Sequence, residues 1–291
     1  MNLKGSVMSE YSSLENYNTY RIKSFAKYVY FPKNEEEILE AVAKHEKIFF
    51  IGNGSNIILS KECYDDDNIG FVILCKNFNS FSINDETVEV DSGMLLPDLA
   101  LCTYKAGLSG IETFYDVPAS VGGALIMNAG AYGDEIYTYV KSVRVLDIEA
   151  KKIIEHDVKD IDFSYRYSMF KNDSNICILS AKFKFEKKPL SDLKAKLDDI
   201  YSRRLINLPQ QPTGGSVFKR PQADARVGAM VEDLGMKGLS VGDAQISRKH
   251  AGIIVNNGDA KGSDIIALIE HVKKEVFANY NINLHEEQII I

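Results

Sequence analysis

The chain has 291 residues, 45% of them hydrophobic, and a formal net charge of −7 at pH 7. This length predicts about two domains, or three small ones, with enough apolar residues for a sizeable core. The negative charge argues against non-specific binding to nucleic acid or to anionic membranes, because both attract basic surfaces. It leaves room for a local basic pocket that takes a phosphate-bearing ligand.

Signals for secretion, membrane insertion and metal binding are not found in the sequence. No run approaches the roughly 20 apolar residues that a membrane-spanning helix needs. The amino-terminal stretch MNLKGSVMSEYSSLENY has no apolar segment of the kind found in secretion signals. The four cysteines show no metal-ligand spacing: Cys63, Cys75, Cys102 and Cys177. We therefore expect a soluble cytoplasmic protein without a metal site.

The first third of the chain predicts strands around two helices. Asn34 is the predicted N-cap of a helix over EEEILEAVAKHEK, whose acidic first turn suits the helix dipole. The apolar run IFFI predicts a buried strand that leads directly into Gly52. Short strands are predicted between residues 71 and 91. The stretch LPDLALCTYKAGL then predicts a helix with Pro97 in its first turn and Gly107 near its end.

The remainder begins with the predicted strands SVRVLDI, KIIEHDV and ICILSAKFKF. A break in composition near Lys188 precedes an amphipathic helix over LSDLKAKLDDIYSRRLI and the long polar loop NLPQQPTGGSVFKRPQ. VGAMVEDLG and GSDIIALIEHVKKEVFANY predict helices, and HAGIIVN and QIII predict strands. The pattern indicates an α+β protein with a strand-rich first two-thirds and a smaller α/β final third.

Two glycine-rich segments stand out as predicted loops. GNGSN, at residues 52–56, follows a strand, so that its backbone N–H groups can converge on an anion. It matches neither the P-loop nor the Rossmann pattern, and a plain tight turn explains it equally well. PASVGGALIMNAGAYG, at residues 118–133, offers a second run of small residues, with close packing of chain segments as the alternative. Together they suggest a nucleotide lying between two subdomains.

Seven segments, in order along nearly the whole chain, resemble the UDP-N-acetylenolpyruvoylglucosamine reductase (UDP-N-acetylmuramate dehydrogenase) family. They are NTYRIKSFAKYV, IGNGSNIIL, GLSGIETFYDVPASVGGALIMNAGAYG, FSYRYSMF, TGGSVFKRP, VGDAQISRKHAGIIVN and LHEEQIII. The resemblance implies FAD-dependent, NADPH-driven reduction of UDP-N-acetylglucosamine enolpyruvate to UDP-N-acetylmuramate for bacterial peptidoglycan. It also implies an FAD-binding domain of the vanillyl-alcohol oxidase type, with subdomains at 1–70 and 71–188, and a substrate-binding domain at 189–291.

The resemblance assigns both glycine-rich segments to the cofactor. The first would hold the FAD pyrophosphate through Gly52, Asn53, Gly54, Ser55 and Asn56. The second would line the flavin and its nucleotide chain through Ser120, Val121, Gly122, Gly123, Asn128, Ala129 and Gly130. Some relatives of this fold tether flavin through a histidine beside the first glycine loop. No histidine adjoins GNGSN, because His45 lies upstream on a predicted helix, so we expect non-covalent FAD.

The family reaction needs a proton donor, a cation that faces the substrate carboxylate, and a group that orients or polarises it. By resemblance, Ser216 in TGGSVF is the proton donor, Arg166 in YRYSMF is the cation, and Glu287 in LHEEQII is the terminal catalytic glutamate. Glu286 is the alternative, because the family usually has an apolar residue where this chain has Gln288. From the local sequence alone, these residues are explained as a serine in a turn, an arginine on the surface and a pair of solvated acidic side chains.

The short spacing between Arg166 and Lys188 implies the shorter branch of the family, without an extra substrate-clamping loop. Arg203 and Lys219, with Arg204, are the predicted partners of the substrate diphosphate, although a solvated helix face explains the first and last equally well. We expect a monomer. Two other functions stay open at this point: a flavin oxidoreductase of the same fold with another substrate, and a non-catalytic nucleotide-binding protein.

Overall fold

The structure is a computed structural model, and it describes residues 9–171, 173–221 and 225–291. The chain divides into two compact units, each built from separate stretches. The first unit contains Met1–Ser12, Lys27–Asn53 and Asp65–Arg203, and the second contains Ser13–Ala26, Gly54–Tyr64 and Arg204–Ile291. Within the described ranges, no helix is both long enough and apolar enough to cross a membrane.

The strands are, in chain order, β1 (Ser9–Ser13), β2 (Phe25–Tyr30), β3 (Lys47–Ile51), β4 (Ile57–Ile58), β5 (Cys63–Tyr64), β6 (Ile69–Ile73), β7 (Phe81–Asn84), β8 (Thr87–Asp91), β9 (Leu108–Ser109), β10 (Gly130–Ala131), β11 (Asp134–Glu135), β12 (Val140–Asp147), β13 (Lys152–Asp157), β14 (Phe163–Ser164), β15 (Tyr167–Ser168), β16 (Ile176–Lys184), β17 (Glu186–Lys187), β18 (Ser240–Val241), β19 (Ala244–Ile246), β20 (Ile254–Asn256) and β21 (Ile289–Ile290). The helices are α1 (Glu35–Val42), α2 (Leu96–Lys105), α3 (Val121–Ile126), α4 (Leu190–Asn207), α5 (Val227–Asp233) and α6 (Gly262–Tyr280).

The first unit contains two layers of sheet and helix. In one, β6 pairs in parallel with β2 and β3, and α1 buries Ile38 and Ala41 in the same apolar cluster as Val72 of β6. The predicted cap of α1 is confirmed, because the Asn34 side chain accepts a hydrogen bond from the Glu37 N–H at 3.0 Å. In the other layer, the antiparallel sheet β13-β12-β16-β8-β7 shares its apolar core with α2 and α3.

The helix α3 corrects the prediction that residues 118–133 form a loop. Ser120 adopts an extended conformation at the N-cap, and its Oγ accepts from the Gly123 N–H at 3.2 Å. Val121 and Leu125 are fully buried in the core. Each glycine in a helix costs about 1 kcal/mol relative to alanine, and the cap and the burial offset that cost. Only the stretch after the helix, from Asn128 at φ 40°, turns as predicted.

The second unit contains the antiparallel sheet β18-β19-β20, against which α6 packs. The helix presents buried apolar residues three or four positions apart, as its sequence pattern predicts: Ile265, Leu268, Ile269, Val272 and Val276. In the same unit, β4 pairs in parallel with the carboxyl-terminal strand β21 through Ile57↔Ile289 and Ile58↔Ile290.

Both units are discontinuous, whereas the predicted ranges 1–70, 71–188 and 189–291 are continuous. Residues 54–64 belong to the second unit because β4 pairs with the carboxyl-terminal strand β21. Residues 190–203 of α4 belong to the first unit, and Leu193, Leu197 and Ile200 form the buried side of that helix. The division into two flavin subdomains and a substrate domain stays a prediction.

Candidate active site

The two glycine-rich segments meet in the first unit, where Gly52 lies against Ser120. A Cβ atom added at Gly52 would overlap Ser120 Oγ and lie 2.9 Å from Ser120 Cβ. Asn53 fixes the same junction, because its Nδ2 donates to the Pro118 carbonyl at 2.7 Å. The lack of a side chain at Gly52 therefore lets the end of β3 approach the start of α3.

Two buried polar groups beside α3 have no hydrogen-bond partner in the described part of the chain. One is Ser92 Oγ, and a Cβ atom at Gly122 would lie 2.9 Å from Ser92 Cβ. The other is Oδ1 of Asn128, a residue that is 0% exposed. Its Nδ2 donates to Glu135 Oε2 at 2.9 Å and to the Ser164 carbonyl at 3.0 Å. An unsatisfied buried polar group costs about 1–3 kcal/mol, and a polar ligand can remove that cost.

The later part of GNGSN lies in the second unit and presents backbone donors. Gly54 has φ +63°, and a Cβ atom there would overlap the Tyr17 carbonyl oxygen, so that only glycine fits. Across the described residues, the N–H groups of Gly54, Ser55 and Asn56 donate no hydrogen bond to another backbone group. Successive N–H groups of this kind form concave sites for phosphate oxygens.

Arg166 occupies the turn of the hairpin β14-β15 and contacts the second glycine-rich segment, residues 118–133, in the first unit. Its φ is 55°, as the tight turn between Ser164 and Tyr167 requires. Arg166 Nη2 donates to the Gly130 carbonyl at 3.2 Å, and the guanidinium carbon lies 5.0 Å from the centre of the Tyr165 ring. The side chain is half-buried.

Ser216 is exposed in the second unit and directly follows the glycine pair Gly214–Gly215. A Cβ atom at Gly214 would lie 2.5 Å from Cε2 of the buried Tyr20, and Gly215 has φ +76°. Ser216 then forms an antiparallel bridge with Ile253. The serine therefore lies between the close contact of Gly214 with the Tyr20 ring and a backbone bridge to Ile253, the residue before β20.

The segment that follows Ser216 pairs with the carboxyl-terminal segment. The Glu287 N–H donates to the Val217 carbonyl at 2.8 Å, and Phe218 forms an antiparallel bridge with Glu286. The carboxylate of Glu286 is 2.8 Å from Lys273 Nζ on α6. Burial alone would raise the pKa of Glu286, but the hydrogen bond and charge of Lys273 outweigh it and lower the pKa. Glu286 is thus committed to an ion pair.

A cavity of about 460 Å³ opens beside Ser216 in the second unit. Its walls carry three cationic side chains and one acid: Arg220, Arg226, Lys249 and Glu232. His250 also lines it, with Nδ1 accepting from the Gly252 N–H at 3.2 Å, so that the neutral ring carries its proton on Nε2. Burial lowers the pKa of His250 below its usual value. The cavity is a local basic pocket in an acidic chain.

Comparisons with known proteins match both parts of the chain. The FAD binding domain family matches residues 26–155, and the UDP-N-acetylenolpyruvoylglucosamine reductase C-terminal domain family matches residues 208–291. The chain is 66% identical to the UDP-N-acetylenolpyruvoylglucosamine reductase of Francisella tularensis subsp. tularensis over 284 residues, covering 98% of this chain and 100% of that protein. The chain belongs to the UDP-N-acetylenolpyruvoylglucosamine reductase family.

Further relatives of the reductase family agree. The Petrotoga mobilis reductase is 39% identical, over 94% of this chain and 91% of that one. The crystal structure of the Thermus caldophilus reductase superposes with a TM-score of 0.84 at 26% identity, covering 98% of this chain and 99% of that chain. The predicted fold is confirmed as an α+β protein with an FAD-binding domain of the vanillyl-alcohol oxidase type.

The family membership also confirms the predicted activity. The protein is an FAD-dependent oxidoreductase that reduces UDP-N-acetylglucosamine enolpyruvate to UDP-N-acetylmuramate in peptidoglycan synthesis, with NADPH as the reductant. The two alternatives, another flavin oxidoreductase and a non-catalytic nucleotide-binding protein, are therefore set aside.

The basic cavity beside Ser216 is lined by residues that were not predicted from the sequence. Arg220, Arg226, Lys249 and His250 are scattered along the final third of the chain, and only folding places them around one cavity with Ser216. The one local signal was the basic run RKH ahead of a predicted strand, which points equally to a solvated turn. Sequence spacing alone therefore could not separate these cations from surface residues.

The two predicted diphosphate residues, Arg203 and Lys219, are not among the residues that line this cavity. Arg203 is exposed on α4 and is paired with Asp199 at 3.0 Å, one helical turn away. Lys219 is half-buried, and its backbone N–H donates to the His285 carbonyl at 2.9 Å. Their role in binding the substrate stays a prediction.

Proposed function

We propose that Arg166, Ser216 and Glu287 are the catalytic residues of this reductase. The observation that carries the proposal is the backbone hydrogen bond from Glu287 to Val217, the residue after Ser216. This hydrogen bond holds Ser216 and Glu287 on adjacent extended segments of the second unit. The ion pair between Glu286 and Lys273 supports the choice of Glu287, because it leaves Glu286 committed elsewhere.

The glycine-rich segments fit FAD, and we infer that they bind it without a covalent bond. The pyrophosphate would be held by Gly52, Asn53, Gly54, Ser55 and Asn56. This fits the N–H groups of residues 54–56, which donate to no other backbone group in the described part of the chain. The flavin side would be lined by Ser120, Val121, Gly122, Gly123, Asn128, Ala129 and Gly130, where Asn128 Oδ1 offers an unsatisfied acceptor. When bound, FAD accepts hydride from NADPH and supplies it to the methylene carbon of the substrate.

Ser216 would donate its hydroxyl proton to the neighbouring carbon of the enolpyruvyl group, which gains carbanion character as the double bond is reduced. A hydroxyl is a weak acid, but a developing carbanion is a strong base, so that a positioned serine suffices. The exposure of Ser216 lets solvent return the proton afterwards.

Arg166 and Glu287 would act on the substrate carboxylate. The guanidinium of Arg166 stays charged at every accessible pH and can donate two parallel hydrogen bonds to a carboxylate. That contact spreads the negative charge that develops on the enolate. Glu287 would orient the proton donor or hydrogen-bond the protonated form of the enolic acid.

The basic cavity is the proposed site of the substrate diphosphate. Its volume of about 460 Å³ falls within the range usual for small-molecule sites. Arg220, Arg226 and Lys249 supply positive charge beside Ser216, which fits a nucleotide-sugar whose reacting end lies at the serine. They are better supported than Arg203 and Lys219 because they share one cavity with the proposed proton donor.

We further infer that the protein acts as a monomer in the cytoplasm, with no nucleic-acid or membrane partner. The cytoplasmic location is supported by the substrates, since NADPH and UDP-sugars are cytoplasmic metabolites. The net charge of −7 supports the lack of a polyanionic partner.

Stopped-flow absorbance of the flavin tests the role of Ser216. In Ser216→Ala, flavin reduction by NADPH should keep its rate, and reoxidation by the enolpyruvyl substrate should slow by about 10²–10⁴-fold, the usual contribution of a general acid. Ser263→Ala, an exposed serine in the first turn of α6, is the matched control and should leave both rates unchanged. Equal slowing of both half-reactions in Ser216→Ala would remove the serine from the role of proton donor.

A further inference from the structure

We propose that Gln288 is a positioning residue that sets the orientation of Ser216 through the peptide bond between Gly215 and Ser216, with Tyr20 as its anchor. The inference rests on the proposed role of Ser216 as the proton donor. It assigns a function to a buried amide that the proposed chemistry does not use.

The observation is a chain of two hydrogen bonds inside the second unit. Tyr20, which is 0% exposed, donates from its hydroxyl to Gln288 Oε1 at 3.0 Å. Gln288, which is 4% exposed, donates from Nε2 to the Gly215 carbonyl at 3.2 Å. That carbonyl belongs to the peptide group whose nitrogen is the Ser216 backbone nitrogen. The amide of Gln288 therefore fixes the plane from which the Ser216 side chain projects.

Packing around the same loop shows that this contact is close rather than incidental. A Cβ atom at Gly214 would lie 2.5 Å from Tyr20 Cε2 and 2.9 Å from Gln288 Nε2. Burial raises the pKa of Tyr20, despite its hydrogen bond with Gln288. The phenol thus stays protonated and remains a donor.

The loop needs such an anchor because its two glycines confer little stiffness. Gly215 has φ +76°, and glycine samples more backbone conformations than any other residue. A second tie reaches the loop from Thr213, whose Oγ1 accepts from the Gly215 N–H at 3.2 Å. The N–H of Gly215 is therefore fixed by Thr213 and its carbonyl by Gln288, so that both sides of this residue are held.

Gln288 also stands next to Glu287 in the sequence. Glu287 bonds the Val217 carbonyl through its own N–H, and Gln288 bonds the Gly215 carbonyl through its side chain. Two successive residues of the carboxyl-terminal segment thus hold the backbone on either side of Ser216. A misplacement of about 1 Å in a reacting group can cost on the order of 10²-fold in rate, which gives this double attachment a catalytic consequence.

The test uses Gln288→Met, which keeps the length of the side chain and removes its polar atoms. In the FAD-loaded protein, we expect reoxidation by the enolpyruvyl substrate to slow by about 10–10²-fold while flavin reduction by NADPH keeps its rate. The matched control is Gln245→Met on β19, a half-buried glutamine of the same unit that bonds Gly238 and Ser240 instead. It should leave both rates unchanged.

A double-mutant cycle separates positioning from a purely structural role. If Gln288 acts through Ser216, then Gln288→Met should slow reoxidation no further in a protein that already carries Ser216→Ala. Multiplicative slowing in the double variant, or equal slowing of both half-reactions in Gln288→Met, would overturn the proposal. Tyr20→Phe removes only one hydroxyl and serves if Gln288→Met does not fold; it should slow reoxidation selectively but less, and unchanged reoxidation in that variant would overturn the proposal. A Ser216→Ala variant with normal reoxidation would instead overturn the proposed function itself.

Discussion

Replacement of Gly52 by alanine tests whether the two glycine-rich segments are packed as closely as the structure shows. The φ of Gly52 lies outside the left-handed region, so that the backbone itself accepts alanine. The new Cβ atom would, however, overlap Ser120 Oγ and lie 2.9 Å from Ser120 Cβ. Ser120 must therefore move, and it is the residue that caps α3 through the Gly123 N–H.

Two costs follow from that displacement. Overpacking of a well-packed site costs about 1–3 kcal/mol, and loss of an N-cap hydrogen bond costs about 1 kcal/mol. The free energy of unfolding should thus fall by about 2–4 kcal/mol. At about 2–4 °C per kcal/mol for a protein of this size, the melting temperature should fall by about 4–16 °C.

Differential scanning calorimetry of the FAD-free protein measures this loss, and absorbance at the flavin band measures how much FAD the variant retains. Gly123→Ala is the matched control, because its Cβ atom would lie 3.4 Å from the same Ser120 Oγ, and alanine is favoured over glycine inside a helix. Its melting temperature should not fall. The double variant Gly52→Ala, Ser120→Ala should lose less stability than the two single variants together, because the overlapping oxygen is gone. A Gly52→Ala protein with the melting temperature of the parent would refute the packing.

Three further predictions concern the carboxyl-terminal glutamates and the arginine. In stopped-flow measurements, Glu287→Gln should slow flavin reoxidation by the substrate by about 10²-fold or more. Glu286→Gln should leave the rates of both half-reactions unchanged, and calorimetry should show a loss of about 0.5–1 kcal/mol of stability because the ion pair with Lys273 is gone. The opposite result would exchange the roles of the two glutamates. Because the folded-state pKa of Glu286 lies below 4.5, its contribution to stability is present above about pH 4.5 and is lost as the pH falls through the folded-state pKa. Arg166→Lys keeps the charge but loses a bidentate hydrogen bond of about 1.5–3 kcal/mol, so reoxidation should slow by about 10–150-fold at normal FAD content; loss of FAD would reassign Arg166 to the cofactor.

Local chemistry explains which elements could be predicted from the sequence. The helix α1 begins after Asn34 because that side chain caps its first turn, and α2 begins with Pro97 in its first turn. Such signals act within four residues, and the sequence shows them directly. The helix α3 was missed because its two glycines favour a loop locally, while burial of Val121 and Leu125 depends on a core that the local sequence does not reveal.

The site depends on contacts between distant parts of the chain, and these could not be read from spacing. Ser216, Arg166 and Glu287 could be predicted only from the family resemblance, because the local sequence around each is equally typical of a turn or a surface residue. The stretch 54–64 joins the second unit through the pairing of β4 with β21, at the far end of the sequence. Gln288 could be noted in the sequence only as a departure from the family, and its bonds to Tyr20 and Gly215 supply the physical reason for it.

The adjacent glutamates show how strand register separates two chemically identical groups. Phe218 and Glu286 form an antiparallel bridge, and successive side chains of an extended segment project in different directions, so that Glu286 and Glu287 have different surroundings. The carboxylate of Glu286 forms an ion pair with Lys273 on α6, which neutralises the charge of Glu286. A slip of one residue would exchange the two carboxylates, but the hydrogen bonds from Glu287 to Val217 and from Lys219 to His285 fix the register on both sides of the pair. The two glutamates therefore lie in different surroundings, and a single amide replacement at each position tests which of them is the catalytic carboxylate.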